Sequence, residues 1–64
     1  MREAPLAIDV QLPADEAWAL AQWRKRARWD SYRALAVDDD EAEQMRAAGE
    51  TLREALARQG CAPR

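Results

Sequence analysis

The chain has 64 residues, of which 48% are hydrophobic and 34% charged, and its formal net charge is −2. This balance argues against a disordered chain and predicts a single small domain over residues 1–64. A chain of this length buries only about 60% of the surface that its unfolded form exposes. We therefore expect a tightly packed pair of helices or a dimer.

Several kinds of chemistry lack the residues they need. The sequence has no histidine, and Cys61 and Ser31 are its only cysteine and serine, so the usual structural zinc sites and catalytic triads are out of reach. Gly49 and Gly60 lie too far apart for a phosphate-binding loop. The sequence thus predicts a protein that is not an enzyme, with no catalytic residues, no cofactor and no metal.

The expected location is cytoplasmic. A lone cysteine fits a reducing compartment, and Arg2 and Glu3 are not followed by the apolar run of a signal peptide. The longest apolar run, residues 17–21, is far shorter than the ~20 residues that cross a bilayer. No membrane contact is expected, and the richness in alanine and arginine favours a GC-rich bacterial or phage genome.

Residues 5–12 carry the first structural signal. Every second residue is apolar: Leu6, Ile8, Val10 and Leu12. This period of two predicts an N-terminal β-strand or extended segment with one face to bury. Because the sequence offers no second strand, the segment should either lie across the helices or pair with the same segment of a second copy.

Two helices are predicted next. The first covers residues 14–28, with Pro13 at its start and Asp15 and Glu16 where the helix dipole favours acids. Leu20, Trp23 and Ala27 share its apolar face, and its tryptophans are expected to be covered. A short helix over residues 31–36 should follow, capped by Asp30 or Ser31.

The longest predicted helix covers residues 38–59. Asp38 is a good N-cap, Glu41 stands where a capping box needs it, and Val37 with Ala42 can form a hydrophobic staple. A narrow apolar seam follows at helical spacing: Ala42, Met45, Gly49, Leu52, Leu56 and Gln59. The predicted fold class is therefore mainly α, formally α+β because of the strand.

Two glycines have predicted roles in this helix. Gly60 should end it in a left-handed turn, with Cys61 packing back on Leu56. A glycine inside a helix costs about 1 kcal/mol relative to alanine, so Gly49 should make room for a bulky neighbour. Trp18 and Trp23 are the expected neighbours.

The acidic stretch at the start of the long helix is the first candidate site. It consists of five acids within six residues: Asp38, Asp39, Asp40, Glu41 and Glu43. A cap needs only Asp38 and Glu41, and the other three acids add mutual repulsion that solvent or a basic partner must relieve. The plainer interpretation is that the stretch only caps the helix. The functional prediction is a partner-binding surface that imitates spaced phosphates.

The basic segment is the second candidate site. It interleaves aromatic residues with five cations: Arg24, Lys25, Arg26, Arg28 and Arg33. That composition is typical of nucleic-acid surfaces. The plainer interpretation is a solvated helix end whose arginines complement the dipole and pair with nearby acids. Direct nucleic-acid binding is therefore only the alternative.

The order strand, helix, helix resembles the ribbon-helix-helix dimers, in topology only. The resemblance implies base reading by outward strand residues, which here are Ala7, Asp9 and Gln11 and include no cation. The acids at Asp38 and Asp39 would repel phosphate at the long helix's N-terminus. A dimeric ribbon is thus compatible with the sequence, whereas DNA reading is not expected.

Three motifs carry a second resemblance: AWALAQ at residues 17–22, LAVDDDEA at 35–42, and ALA followed by Gly60 and APR at 55–64. They are similar to a family of short uncharacterised proteins of proteobacteria, prophages and mobile elements, which implies no activity. In kind only, the chain resembles small anti-CRISPR inhibitors. We expect a protein that binds a host nucleic-acid-binding effector, such as a CRISPR effector subunit, and inhibits it; a nucleic-acid-binding regulator and a structural homodimer are the alternatives.

Overall fold

Three helices form most of the chain between residues 4 and 63, the part that the computed structural model describes. They are α1 (Ala14–Arg26), α2 (Trp29–Leu35) and α3 (Asp39–Arg58). The long helix α3 packs against both α1 and α2. The mainly helical class is confirmed, and each helix begins or ends within two residues of the predicted ranges 14–28, 31–36 and 38–59.

The N-terminal segment differs from its prediction. Residues 4–13 form neither a helix nor a strand, so the β-strand expected at residues 5–12 is not formed. A strand is held by hydrogen bonds to a neighbouring strand, and residues 4–63 contain no strand that could supply them. The sequence of the segment has the period of a strand, but no strand among residues 4–63 pairs with it.

The start of α3 follows the predicted capping with one change. Asp38 Oδ1 accepts a hydrogen bond of 2.8 Å from the backbone N–H of Glu41. The Glu41 carboxylate accepts from the N–H of Val37 at 3.0 Å, one residue before the donor of a standard capping box. Val37 is 81% exposed, so a staple to Ala42 would cover little of it.

The end of α3 forms the small core. Gly60 has φ +88°, and the Cys61 N–H donates to the Leu56 carbonyl oxygen at 2.9 Å. Cys61 and Leu56 are buried together with Ala21 of α1. The left-handed turn at Gly60 and the packing of Cys61 on Leu56 are confirmed.

The two short helices show where the local signals misled. α2 begins at Trp29 with Arg28 as its N-cap, and Ser31 Oγ accepts from the Arg28 N–H at 3.3 Å. The predicted caps at Asp30 or Ser31 were therefore placed too late.

The tryptophans were expected to be covered, and this is wrong for the described residues. Trp18, Trp23 and Trp29 are 43%, 52% and 42% exposed.

Gly49 is buried, but its neighbours are not the predicted ones. A Cβ at Gly49 would lie 2.8 Å from Nε of Arg24 and 3.4 Å from the hydroxyl of Tyr32. The close approach therefore serves a polar arginine from α1 and a buried tyrosine from α2. The prediction that Gly49 makes room is confirmed, and the prediction of Trp18 or Trp23 as the neighbour is wrong.

Candidate protein-interaction surfaces

The acidic stretch lies at the exposed N-terminus of α3. Two of its members are used by the helix start, because Asp38 caps the Glu41 N–H and Glu41 accepts from Val37. Asp39 lies in the first helical turn and contacts Arg33 of α2, with 2.6 Å between Arg33 Nε and Asp39 Oδ1. The Asp39 side chain nonetheless stays 82% exposed, because it meets the arginine at the surface.

Glu43 is also paired within the chain. Arg46, one turn further along α3, donates to Glu43 Oε1 from Nη2 at 2.5 Å and from Nε at 2.9 Å. The hydrogen bonds from Arg46 lower the pKa of Glu43 below its ordinary value, and Glu43 in turn raises the pKa of Arg46. Both side chains are about half exposed, so this pair can exchange for an external partner at modest cost.

Asp40 differs from the other four acids. It is exposed, and its carboxylate has no hydrogen-bond or ion-pair partner among residues 4–63. Asp40 is therefore the acid of this stretch whose charge no intramolecular contact in the described chain uses. The structure brings the five predicted residues together at one helix end, and it accounts for four of them by contacts within the chain.

The basic segment is divided by the fold. The Arg24 side chain is only 12% exposed and its Nη2 lies 2.5 Å from Glu50 Oε2 on α3. Arg33 is held by Asp39 and also donates to the Ala36 carbonyl oxygen at 3.1 Å. Lys25, Arg26 and Arg28 are exposed. The five cations thus do not form one continuous surface, because two of them hold α3 to its neighbours.

Glu50 was not predicted, although it organises the contact between α1 and α3. It accepts from Arg24 across the interface and from Arg53 one turn along α3, at 2.7 Å from Nη2. The hydrogen bond from Arg53 is the largest cause of the lowered pKa of Glu50; partial burial opposes it, and Arg24 adds to it. The available signal was its position next to Gly49, facing a helix rich in arginine.

A continuous exposed apolar feature of the described residues is the N-terminal apolar face, which we define as Leu6, Ile8, Val10 and Leu12. Their exposed fractions fall along the chain, at 88%, 81%, 63% and 40%. All four line one open groove of about 620 Å³, which is also lined by Leu20 of α1 and by Leu52 and Leu56 of α3. The period-two pattern therefore does place these side chains on one face, and that face remains largely uncovered in the single chain.

Other kinds of site find little support in the described part of the chain. Between residues 4 and 63, no three His, Cys, Asp or Glu side chains are grouped so that they could hold a metal ion. No helix in that range is long and apolar enough to cross a bilayer. Cys61 is a free, buried thiol.

Fold and surfaces define a small helical protein with an uncovered apolar face and an acidic helix end. A family model matches residues 1–64, and the chain belongs to that family, a family of unknown function (DUF7706). This agrees with the resemblance to short uncharacterised proteins. No curated protein and no solved structure matches the chain.

Proposed function

We propose that this chain is a non-catalytic protein-binding protein. One observation supports this most strongly: nine large hydrophobic side chains among residues 4–63 are at least 40% exposed, in a chain of 64 residues. Scattered exposed apolar residues are normal, but a contiguous patch marks an interaction surface. Four of the nine lie side by side on the N-terminal apolar face.

The energetic argument concerns what this face would gain. Burying one leucine, isoleucine or valine side chain is worth about 1.5–3 kcal/mol, and Leu6 and Ile8 are more than 80% exposed. A domain of this size has a total stability of only about 3–5 kcal/mol from its core. Covering the face with another polypeptide therefore adds a contribution comparable to the stability of the domain itself.

The test compares the size of complexes formed by matched variants in a bacterial lysate. The wild-type chain should elute above the position of a 7.3 kDa monomer, and the Leu6→Asp/Ile8→Asp variant should elute at the monomer position with unchanged helicity. A Leu35→Asp variant is the control, since Leu35 is 77% exposed but lies outside the face. A wild-type chain that elutes as a free monomer would contradict the proposal.

A second candidate is the inhibitor of a host nucleic-acid-binding effector, of the anti-CRISPR type, which would bind through the acidic stretch. The observation that favours it is the unpaired and exposed carboxylate of Asp40 beside the exposed Asp39. Charge of this kind steers encounters with a basic surface. This second candidate function includes the proposal that the chain originates from a phage or mobile element.

Asp40→Lys is the sharper variant for this candidate, because Asp39 also holds Arg33. We expect Asp40→Lys to release a basic partner while Leu6→Asp/Ile8→Asp retains it. Glu54→Lys provides the matched control, since it makes the same charge change elsewhere on the exposed side of α3. Loss of the partner in both lysine variants would indicate a non-specific charge effect and would argue against the acidic stretch as the contact.

A further inference from the structure

We propose that the N-terminal segments of two copies of this chain pair as antiparallel β-strands around a two-fold axis at Ile8. The inference rests on the proposed function, because it names the occupant of the N-terminal apolar face. It is carried by three observations on residues 4–12: their uncovered apolar side chains, their unpaired backbone, and a distribution of charge and proline that fits one pairing register.

The backbone of residues 4–12 indicates what kind of partner this segment needs. Residues 4–12 belong to no helix or strand, and no backbone hydrogen bond within residues 4–63 involves them. The alternating apolar positions and the shared groove fit a strand with one covered face. What covers this segment must therefore supply a row of backbone donors and acceptors as well as apolar side chains, which is what another strand does.

A second copy is the occupant that the sequence of the segment fits. In an antiparallel pair related by a two-fold axis, the same patch meets itself. When the axis passes through a residue, residues of the same parity face each other, so the apolar side chains of both copies lie on one side of the ribbon. There they would cover each other and the leucine-lined grooves of both copies.

The position of the Asp9 carboxylate distinguishes between the possible pairing registers of the two strands. An axis through Asp9 would place the two Asp9 carboxylates directly opposite each other, which is unfavourable. An axis through Ile8 instead places Asp9 opposite the partner's Ala7 and Leu6 opposite the partner's Val10. An axis through Val10 would also separate the carboxylates, but it brings Pro13, the N-cap of α1, into the pairing and shortens it.

Proline supports the same register. With Ile8 in a hydrogen-bonded pair, the alternation of antiparallel pairs leaves Pro5 at a non-hydrogen-bonded position. The backbone nitrogen of such a residue points away from the partner strand, where a proline is tolerated. Residues 4–12 can then pair along their whole length. The register centred on Ile8 thus separates the two Asp9 carboxylates, keeps Pro5 out of the hydrogen-bonded positions and places the apolar side chains of both copies on one face.

The first measurement is the mass of the purified full-length chain by sedimentation equilibrium. We expect twice the chain mass of 7.3 kDa for the wild type and a single chain mass for Ile8→Asp with retained helicity. A wild-type chain that stays monomeric up to its solubility limit would overturn the proposal. If the pure chain is monomeric but forms a complex in the lysate that Leu6→Asp/Ile8→Asp loses, the inference fails and the proposed function stands.

Cysteine cross-linking tests the register and does not depend on the folding of a charged variant. Both probes carry Cys61→Ala, so that the new thiol is the only one. Ile8→Cys places two thiols on the axis, with Cα atoms about 5.5 Å apart, within disulfide range. Val10→Cys places them about 14 Å apart along the strands, which is too far.

Mild oxidation should cross-link Ile8→Cys at least about tenfold more than Val10→Cys, because distant thiols bridge only after backbone movement. Preferential cross-linking of Val10→Cys would overturn the register at Ile8. Equal cross-linking of both variants would overturn ordered strand pairing. A dimer that cross-links through neither residue would indicate exchange of segments into the neighbouring groove and would also contradict the proposal.

Discussion

The N-terminal segment and the helical body use the same kinds of side chains with opposite results. Leu56 in the body is 8% exposed, because it packs on Ala21 and Cys61. Leu6 in the segment is 88% exposed, although its alternating neighbours give it an equally clear pattern. The body finds its partners within the chain, since α3 lies against both other helices. The segment finds no second strand among residues 4–63, so its alternating pattern leaves apolar side chains exposed.

The largest expected effect tests this difference directly. Leu56→Ala should lower the free energy of unfolding by about 2–5 kcal/mol, because it removes core contacts and leaves a cavity. In a domain this small, that loss brings the chain close to complete unfolding. The check is thermal unfolding followed by circular dichroism at low protein concentration.

Leu6→Ala makes the identical chemical change in the segment and serves as the control. At low protein concentration, it should change the free energy of unfolding by no more than a typical surface substitution, within about 0.5 kcal/mol. Under the proposed pairing of two copies, its effect should grow at higher concentration, because association stabilises the folded state by mass action. Equal effects of Leu56→Ala and Leu6→Ala at low concentration would show that the segment belongs to the body after all.

The helices of the body were predictable because their signals are local. Asp38 as the N-cap, Gly60 as the left-handed end and the seam through Leu56 each depend on neighbours within a few residues along the chain. The errors at the ends of α1 and α2 are small for the same reason. Helix ends fray, and the residue at which a helix is taken to begin or end varies by one or two positions.

What could not be predicted depends on contacts between distant residues. Trp23 and Arg24 are neighbours in sequence and project about 100° apart on α1, so the rotation of the helix about its own axis decides which of them faces Gly49. The rotation observed buries the stem of Arg24, directs its guanidinium to Glu50, and leaves Trp23 half exposed. Arginine can cover apolar surface with its methylene groups, which periodicity does not reveal.

The candidate sites show the same limit. Sequence reasoning found the acidic residues but could not show that Arg33 holds Asp39 or that Arg46 holds Glu43. The Glu43 pair lies three residues apart on one helix and could have been anticipated from spacing. The Asp39 pair depends on the angle between α2 and α3, for which the sequence has no local signal.

The second prediction concerns the contact at Gly49, where the backbone of α3 closely approaches the side chain of Arg24. Gly49→Leu should lower the free energy of unfolding by about 1–3 kcal/mol, because a larger side chain would overpack the space between α3 and Arg24. The measurement is urea unfolding. An unchanged midpoint would show that Arg24 moves aside without loss, and that the helix interface is looser than the distances indicate.

A double-mutant cycle sharpens this prediction. Gly49→Ala alone has two opposing effects on stability. Alanine is favoured over glycine in a helix by about 1 kcal/mol, but its Cβ would lie 2.8 Å from Nε of Arg24. In an Arg24→Ala background the steric term disappears, so Gly49→Ala should become stabilising. Additive effects of the two substitutions would contradict a direct contact, since independent sites add.

The smallest expected effect is the pH dependence that Glu50 gives to the body. Arg53 and Arg24 lower the pKa of Glu50 in the folded chain, so this carboxylate contributes stability that is present above its unfolded pKa, near 4.3. That contribution is lost as the pH falls through the lower, folded pKa. Glu50→Gln should therefore melt below the wild type at pH 7, and the difference should shrink as the pH falls through the lowered, folded pKa of Glu50, because the wild-type carboxyl is then protonated as well. Glu54→Gln removes a carboxylate of the same helix that has no ion pair among residues 4–63, so its difference in melting temperature from the wild type should change less with pH.

A Glu50→Gln difference in melting temperature that stays constant as the pH falls would mean that the side chain stabilises the α1–α3 contact by packing and neutral hydrogen bonds. The arginines would then contribute through their methylene stems, and charge would matter no more in the body than in the uncharged apolar face of the segment.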